Sequence, residues 1–172
     1  TAFHYNMPER AWRYAIPRDV VDTYHVRKYG AHGTSHRFIW RSVNEFLGGE
    51  AHKVVSCHLG SGASLCAIED GKCMDTTMGL TPLDGLIMGT RCGTVDPATV
   101  FYLNRVADMS IDEIDTMMNK KSGLLAVSGV SSDSRDVVAG AENGDENCAM
   151  AIEMFCYRAS QLISEMAASM QG

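Results

Sequence analysis

The chain has 172 residues, 45% of them hydrophobic and 21% charged, with 15 Lys and Arg against 21 Asp and Glu for a net charge of −6. This is the make-up of a soluble globular protein, and the acidic balance without any Lys/Arg run leaves no electrostatic footprint for nucleic acid or an anionic membrane surface. No stretch approaches the ~18 apolar residues of a membrane span, and no basic-then-apolar leader opens the chain, so a cytoplasmic protein is expected.

Domains of about 150 residues bury about 70% of their unfolded surface, so this length supports one core or a share of a larger one, and two independent domains are not expected. Because the first residue is Thr1 rather than Met, the chain is expected to be processed, trimmed or part of something longer. Tyr14–Tyr29, behind Pro8 and Pro17, is expected to wander over a surface before a loop that begins at Gly30. Phe38, Ile39, Val43, Phe46 and Leu47 then recur at helical spacing, Thr34 or Ser35 can cap, and Gly48-Gly49 ends the run. Lys53–His58 reads as a buried strand. Ser64–Glu69 and Lys72–Thr77 flank Asp70-Gly71, the two-residue signal of a type I′ hairpin, so three consecutive antiparallel strands are expected. Gly79 to Pro97 reads as a glycine-rich loop around Arg91 rather than a core element. Ser110 and Glu113 spell a capping box, and Gly123 is expected to close the helix they open. Ile152, Phe155, Cys156, Ala159, Leu162, Ile163, Met166, Ala167 and Met170 form one stripe of a last helix, whose methionines read as core packing.

The six cysteines show no CxxC spacing and are expected to be reduced and mostly buried, which disfavours a disulfide framework or a thiol redox enzyme. None of the six histidines pairs with a cysteine at zinc-finger spacing, so a zinc site is not expected and no metal ligand is assigned.

Chemistry concentrates in a few polar segments. In His58-Leu59-Gly60-Ser61-Gly62, set between two strands, the glycines let backbone N–H groups converge on an anion. It lacks the Lys of a Walker loop and the third Gly of a dinucleotide fingerprint. A tight Gly-Ser-Gly turn can be purely structural; its weight comes from two companions, Gly89-Thr90-Arg91 and Ser131-Ser132-Asp133-Ser134-Arg135, each able to meet phosphate or carboxylate. In His32-Gly33-Thr34-Ser35-His36 an imidazole stands just before a helix N-terminus, where anions collect. His32, held in a loop, is the better catalytic candidate, and His36 the better packing one.

These residues carry a resemblance. Tyr29-Gly30 with His32–His36, Cys57–Gly62, Asp75–Arg91 continuing to Asp96-Pro97, and Met118–Gly123 are similar to the acetate/propionate/butyrate kinase family, collinearly over nearly the whole chain. The resemblance implies an α/β fold: a partial actin-like ATPase (ribonuclease H-like) fold, here the three-stranded antiparallel start of a mixed sheet with packed helices. It implies that residues 1–50 lead from a preceding domain and carry the His-Gly-Thr-Ser-His loop, while 51–172 begin a C-terminal ATPase domain. It also implies transfer of the ATP γ-phosphoryl group to acetate or propionate, giving an acyl phosphate and ADP, with Mg²⁺ whose ligands lie outside this chain, and a homodimer when complete.

Carried over by position, His32 and Arg91 are the transition-state stabilisers. His58, Leu59, Gly60, Ser61, Gly62, Asp133, Ser134 and Arg135 are the nucleotide-contacting residues, and Ala31 and Pro82 line the acid's pocket. Carboxylate and triphosphate repel, so positive donors must bridge them, as phosphoryl transfer requires. The chain departs from the family pattern at Ser61 in place of Asn, Ser134 in place of Phe, Tyr5-Asn6 in place of Gln-Thr and Ala31 in place of Phe. The family's catalytic Asp would stand before Thr1, so these residues alone are expected to show no kinase turnover. A non-catalytic nucleotide-binding or scaffold remnant is the rival reading.

Overall fold

The computed structural model describes residues 1–171, and the chain divides into two compact units, one formed by Thr1–Gly85 and the chain from Ser160 on, the other by Leu86–Ala159. The first unit opens with a 3-10 helix, Ala2–His4, followed by α1 (Glu9–Trp12), α2 (Arg18–Tyr24) and α3 (Gly33–Phe46). The stretch expected to wander thus contains a helix, because Pro17 stands at the N-cap position of α2, as Pro8 does for α1, with a φ already suited to helix entry. The three strands β1 (Lys53–Leu59), β2 (Ala63–Glu69) and β3 (Lys72–Thr76) form an antiparallel sheet in the order β1-β2-β3.

β2 is the central strand, and Ala63 to Ile68 are all buried. Its run of small and apolar residues lacks polar alternation because both faces are covered. β1, at the edge, is half-exposed rather than buried as expected. Asp70 and Gly71 both adopt positive φ, 46° and 76°, as a type I′ turn demands. The pairing shifts register between Ala67 and Ile68. The 3-10 helix and α3 pack on the sheet, with Met7, Cys66, Ile68 and Cys73 at the centre of a cluster joined by Phe3, Ala11, Trp12, Trp40 and Val54.

α3 turns a different face inward from the one its apolar residues suggested. Phe38, Phe46 and Leu47 are exposed, and the inward residues are Gly33, His36, Trp40, Val43 and Asn44. The expected stripe lost because this helix buries a polar histidine against the sheet, a choice that hydropathy alone does not favour.

The second unit holds α4 (Ala98–Val106), α5 (Ile111–Lys120), α6 (Gly123–Ser128), α7 (Ser134–Glu142) and the first part of α8 (Glu146–Ala168). The capping box forms with both of its hydrogen bonds. Gly123 does not close α5, which ends at Lys120; at φ 68° it opens α6 instead. Ile87, Leu124, Val137, Cys148 and Ala151 make this unit's core, with Ile152 and Phe155 packed on it. The glycine-rich loop has no helix or strand from 77 to 97, yet Met78, Leu86, Ile87 and Met88 are buried, so it is an irregular segment that contributes core. Met166 on α8 and Met170 just past its end are buried as the stripe predicts, while Cys156 and Ile163 on α8 are exposed. Among the described residues no helix is long and apolar enough to cross a membrane.

Candidate active site

The site in the first unit is built around His32, whose backbone sits in the left-handed region, φ 58° and ψ 21°, at the N-cap position of α3. That conformation costs a non-glycine residue roughly 1–2 kcal/mol, and the flanking loop is pinned in ways that offset it. Tyr29 and Gly30 N–H donate to the Gly79 carbonyl, and His4 Nε2 donates to the Ala31 carbonyl at 2.8 Å. Gly30, at φ 69°, lies so close to the His4 ring and the Thr76 methyl that a Cβ there would be 2.7 Å from each. Only glycine fits that approach.

Four histidines meet here. The His32 and His58 rings stack with centroids 4.0 Å apart and planes 17° from parallel. His36 lies edge-on to His4, His32 and His58 and is fully buried. Burial, reinforced by the three neighbouring imidazoles, lowers its pKa to about 3, so the ring is neutral, with one N–H and one lone pair. Ser56 Oγ lies 2.9 Å from His36 Nδ1, Ser64 Oγ 2.8 Å from His36 Nε2, and the same Ser64 Oγ 2.9 Å from His32 Nδ1. A chain Ser56–His36–Ser64–His32 therefore holds the His32 ring by Nδ1. His58 is held in turn by Ser35 Oγ, 3.0 Å from its Nδ1. Ser35 is thereby spent on His58, and no side chain caps α3.

The sequence singled out His32 and His58 but missed the hydroxyls that orient them. Their signal was present: Ser56 and His58, two apart on one strand, share a face, and Ser64 stands directly opposite His58 in the register. Gly60-Ser61-Gly62 forms the tight β1–β2 turn beside His58, closed by Gly60 N–H donating to the Gly62 carbonyl at 3.2 Å; Leu59 and Ser61 are exposed. Ala31 is half-buried and Pro82 exposed. Tyr5 and Trp40, the large side chains able to compensate for Ala31, are engaged elsewhere: Trp40 Nε1 donates to the Ala51 carbonyl and its ring covers Gly71, while Tyr5 faces the Arg27 guanidinium.

Arg91, Asp133, Ser134 and Arg135 belong to the second unit. The Arg91 loop is laced to the α5–α6 junction: Ser122, Leu124 and Leu125 N–H donate to the carbonyls of Thr90, Met88 and Gly89, and Cys92 N–H to Met118. Gly89 approaches the Ser132 carbonyl so closely that a Cβ would lie 2.7 Å from it, which brings the second and third polar segments side by side. Asp133 caps α7 and pairs with Arg135 through Nε at 3.0 Å and Nη2 at 2.5 Å. That hydrogen bonding holds the Asp133 carboxyl down at about 2.

Cys66, Cys73 and Cys148 are buried as expected, whereas Cys57 and Cys156 are exposed. Cys57 points away from the core on an edge strand, and Cys156 lies one position off the packed stripe of α8. The donors gathered around His32 are imidazole nitrogens and hydroxyls, the wrong set for Mg²⁺, which takes carboxylate, phosphate and water oxygens.

A loop with a left-handed residue thus carries His32, stacked on His58 of the β1–β2 hairpin and its Gly-Ser-Gly turn. The model of the Acetokinase family matches residues 1–172. The chain is 49% identical over 174 residues to acetate kinase 2 of Clostridium perfringens, covering 100% of this chain and 44% of that protein. It is 54% identical over 165 residues to the acetate kinase of Campylobacter concisus, covering 95% and 41%. Its structure superposes on Porphyromonas gingivalis acetate kinase with TM-score 0.96 at 42% identity, covering 100% of this chain and 44% of that one. For a propionate kinase from Francisella tularensis the TM-score is 0.94 at 42% identity, covering 97% and 43%. The chain belongs to the acetokinase family, with the actin-like ATPase fold of its members, and spans somewhat under half the length of these relatives.

Proposed function

We propose that the protein containing this chain is an acetate kinase, moving the γ-phosphoryl group of ATP to acetate, with propionate as a second acceptor, to form an acyl phosphate and ADP. The observation that carries the reading is the His32 ring, fixed by Ser64 and stacked on His58 beside the Gly60-Ser61-Gly62 turn. Phosphoryl transfer asks a protein mainly to position reactants and to stabilise charge on the equatorial oxygens. An imidazole whose plane is set before substrate arrives meets that need without reorganisation. In this reading His32 and Arg91 supply positive donors to the transferring group. His58–Gly62 and Asp133–Arg135 contact the nucleotide, and Ala31 and Pro82 line the acid's pocket. Residues 1–50 lead from a preceding domain and 51–172 begin the C-terminal ATPase domain. Mg²⁺ enters with the nucleotide, the enzyme is a homodimer, and it works in the cytoplasm.

The test is acyl phosphate formation by the full-length protein, trapped as the hydroxamate with ATP and acetate or propionate. ATP- and carboxylate-dependent hydroxamate is expected. Nucleotide binding without any acyl phosphate from either acid would favour the scaffold reading instead.

A further inference from the structure

Next to the His32 site, and sharing His4 with it, the first unit gathers three metal-ligating groups from distant parts of the sequence. His4 Nδ1 lies 3.1 Å from Cys73 Sγ, Cys73 Sγ lies 3.5 Å from Cys66 Sγ, and all three ligand atoms fall within 4.8 Å of one another. His4 and Cys66 are fully buried and Cys73 is 3% exposed. We propose that His4, Cys66 and Cys73 form a binding site for one divalent ion of the zinc class.

The donor set fits that class. Zn–S bonds near 2.3 Å and Zn–N bonds near 2.0 Å in a tetrahedron put neighbouring ligand atoms about 3.5–3.8 Å apart; the His4–Cys73 and Cys73–Cys66 sides, 3.1 and 3.5 Å, come within a few tenths of an ångström of that size, and the third side lies within 4.8 Å. Two thiolates and a neutral imidazole around a divalent cation make a neutral complex, which suits an apolar cluster of Met7, Ile68, Phe3 and Trp40. Binding exchanges two thiol protons for the ion and releases them to solvent, with no change of oxidation state. The imidazole is prepared for this role: Nε2 donates to the Ala31 carbonyl at 2.8 Å, which leaves Nδ1 with the lone pair, the outer-sphere arrangement that metal-bound histidines use. The same burial argues against a redox switch, because reactive thiols need access to their oxidant.

An ion here joins the 3-10 helix to the β2–β3 hairpin across 69 residues of sequence. Through the His4–Ala31 hydrogen bond it also stiffens the loop that carries His32. The zinc-finger spacing rule misses the site because its ligands converge through sheet register and not through a local motif.

The test is a Co²⁺ titration of the purified, chelator-stripped protein under anaerobic conditions with a non-thiol reductant. One equivalent is expected to give thiolate-to-cobalt charge-transfer bands and intense tetrahedral d–d bands, displaced by Zn²⁺. Cys66→Ser or Cys73→Ser should weaken binding by at least about 100-fold, since loss of an outer-sphere partner alone costs 10–100-fold; Cys57→Ser with Cys156→Ser should leave it unchanged. Bands that survive in Cys66→Ser and Cys73→Ser, or a purely octahedral spectrum, would overturn the assignment. Zinc-edge X-ray absorption on the unsubstituted protein decides the matter even if the variants do not fold: a shell with two sulfurs supports the site, and a shell of oxygen and nitrogen only refutes it.

Discussion

At the scale of single residues, His36 makes the sharpest physical statement. An unfolded histidine titrates near 6.5 and the folded one near 3, so between those values the unfolded chain binds a proton that the native state refuses. The stability this gives is fully present above pH 6.5 and is lost as pH falls toward 3, by up to about 1.4 kcal/mol per pH unit. Denaturant unfolding measured from pH 7 to pH 4 should show that slope, and His36→Gln should flatten it; equal slopes in both proteins would show that the buried ring is not the titrating group. Ala31 speaks to specificity. On the proposed reading it lines the acid's pocket in place of a family Phe, with Trp40 bonded to the Ala51 carbonyl and Tyr5 facing Arg27, and that reading predicts a wider pocket. Each extra methylene in a fitted pocket is worth about 1–3 kcal/mol. Propionate should therefore be used at least as well as acetate, and Ala31→Phe should restore acetate preference. Unchanged kcat/KM ratios for the two acids in that variant would remove Ala31 from the pocket.

At the scale of elements, the turn and strands of the β2–β3 hairpin were legible because Asp70-Gly71 has essentially one structural use between two strands, whereas its register shift between Ala67 and Ile68 was not. Gly71 is doubly constrained: its φ is 76°, and a Cβ would lie 2.8 Å from the Trp40 ring. Gly48, at φ 64°, meets nothing within 4 Å. Gly71→Ala should accordingly cost about 2–3 kcal/mol against about 1 kcal/mol for Gly48→Ala, readable as a difference in chemical unfolding midpoints; equal costs would mean that the indole yields freely. The capping box of α5 was legible for the same local reason. The packing of α3 was not. Its inward face carries His36 and Asn44 while Phe38 and Phe46 face out, and hydropathy has no means of preferring a hydrogen-bonded imidazole over a phenyl ring. Gly123 misled similarly: a glycine after a helix reads as a stop, whereas here its role is to pass beside the carbonyl of Met88 and begin α6. Within the site, motif reading finds His32, because a histidine between glycines before a helix is locally unusual. It does not find Ser56 and Ser64, whose meaning depends on strand register.

At the scale of the whole molecule, each unit holds its candidate residues on a rigid support. His32 is fixed by a hydroxyl–imidazole chain and a pinned loop, and Arg91 by a loop bonded along its length to the α5–α6 junction. Preorganisation of this kind predicts that removing a donor lowers the rate of the chemical step more than it weakens nucleotide binding. The most direct test is steady-state kinetics of the full-length protein and its His32→Ala and Arg91→Ala variants with ATP and a saturating short-chain acid. A loss of about 10²–10³ in kcat in each, with the KM for ATP much less disturbed, is the expected result. Rates within a few-fold of the unsubstituted protein in both variants would contradict the assignment of His32 and Arg91 to the transferring phosphoryl group.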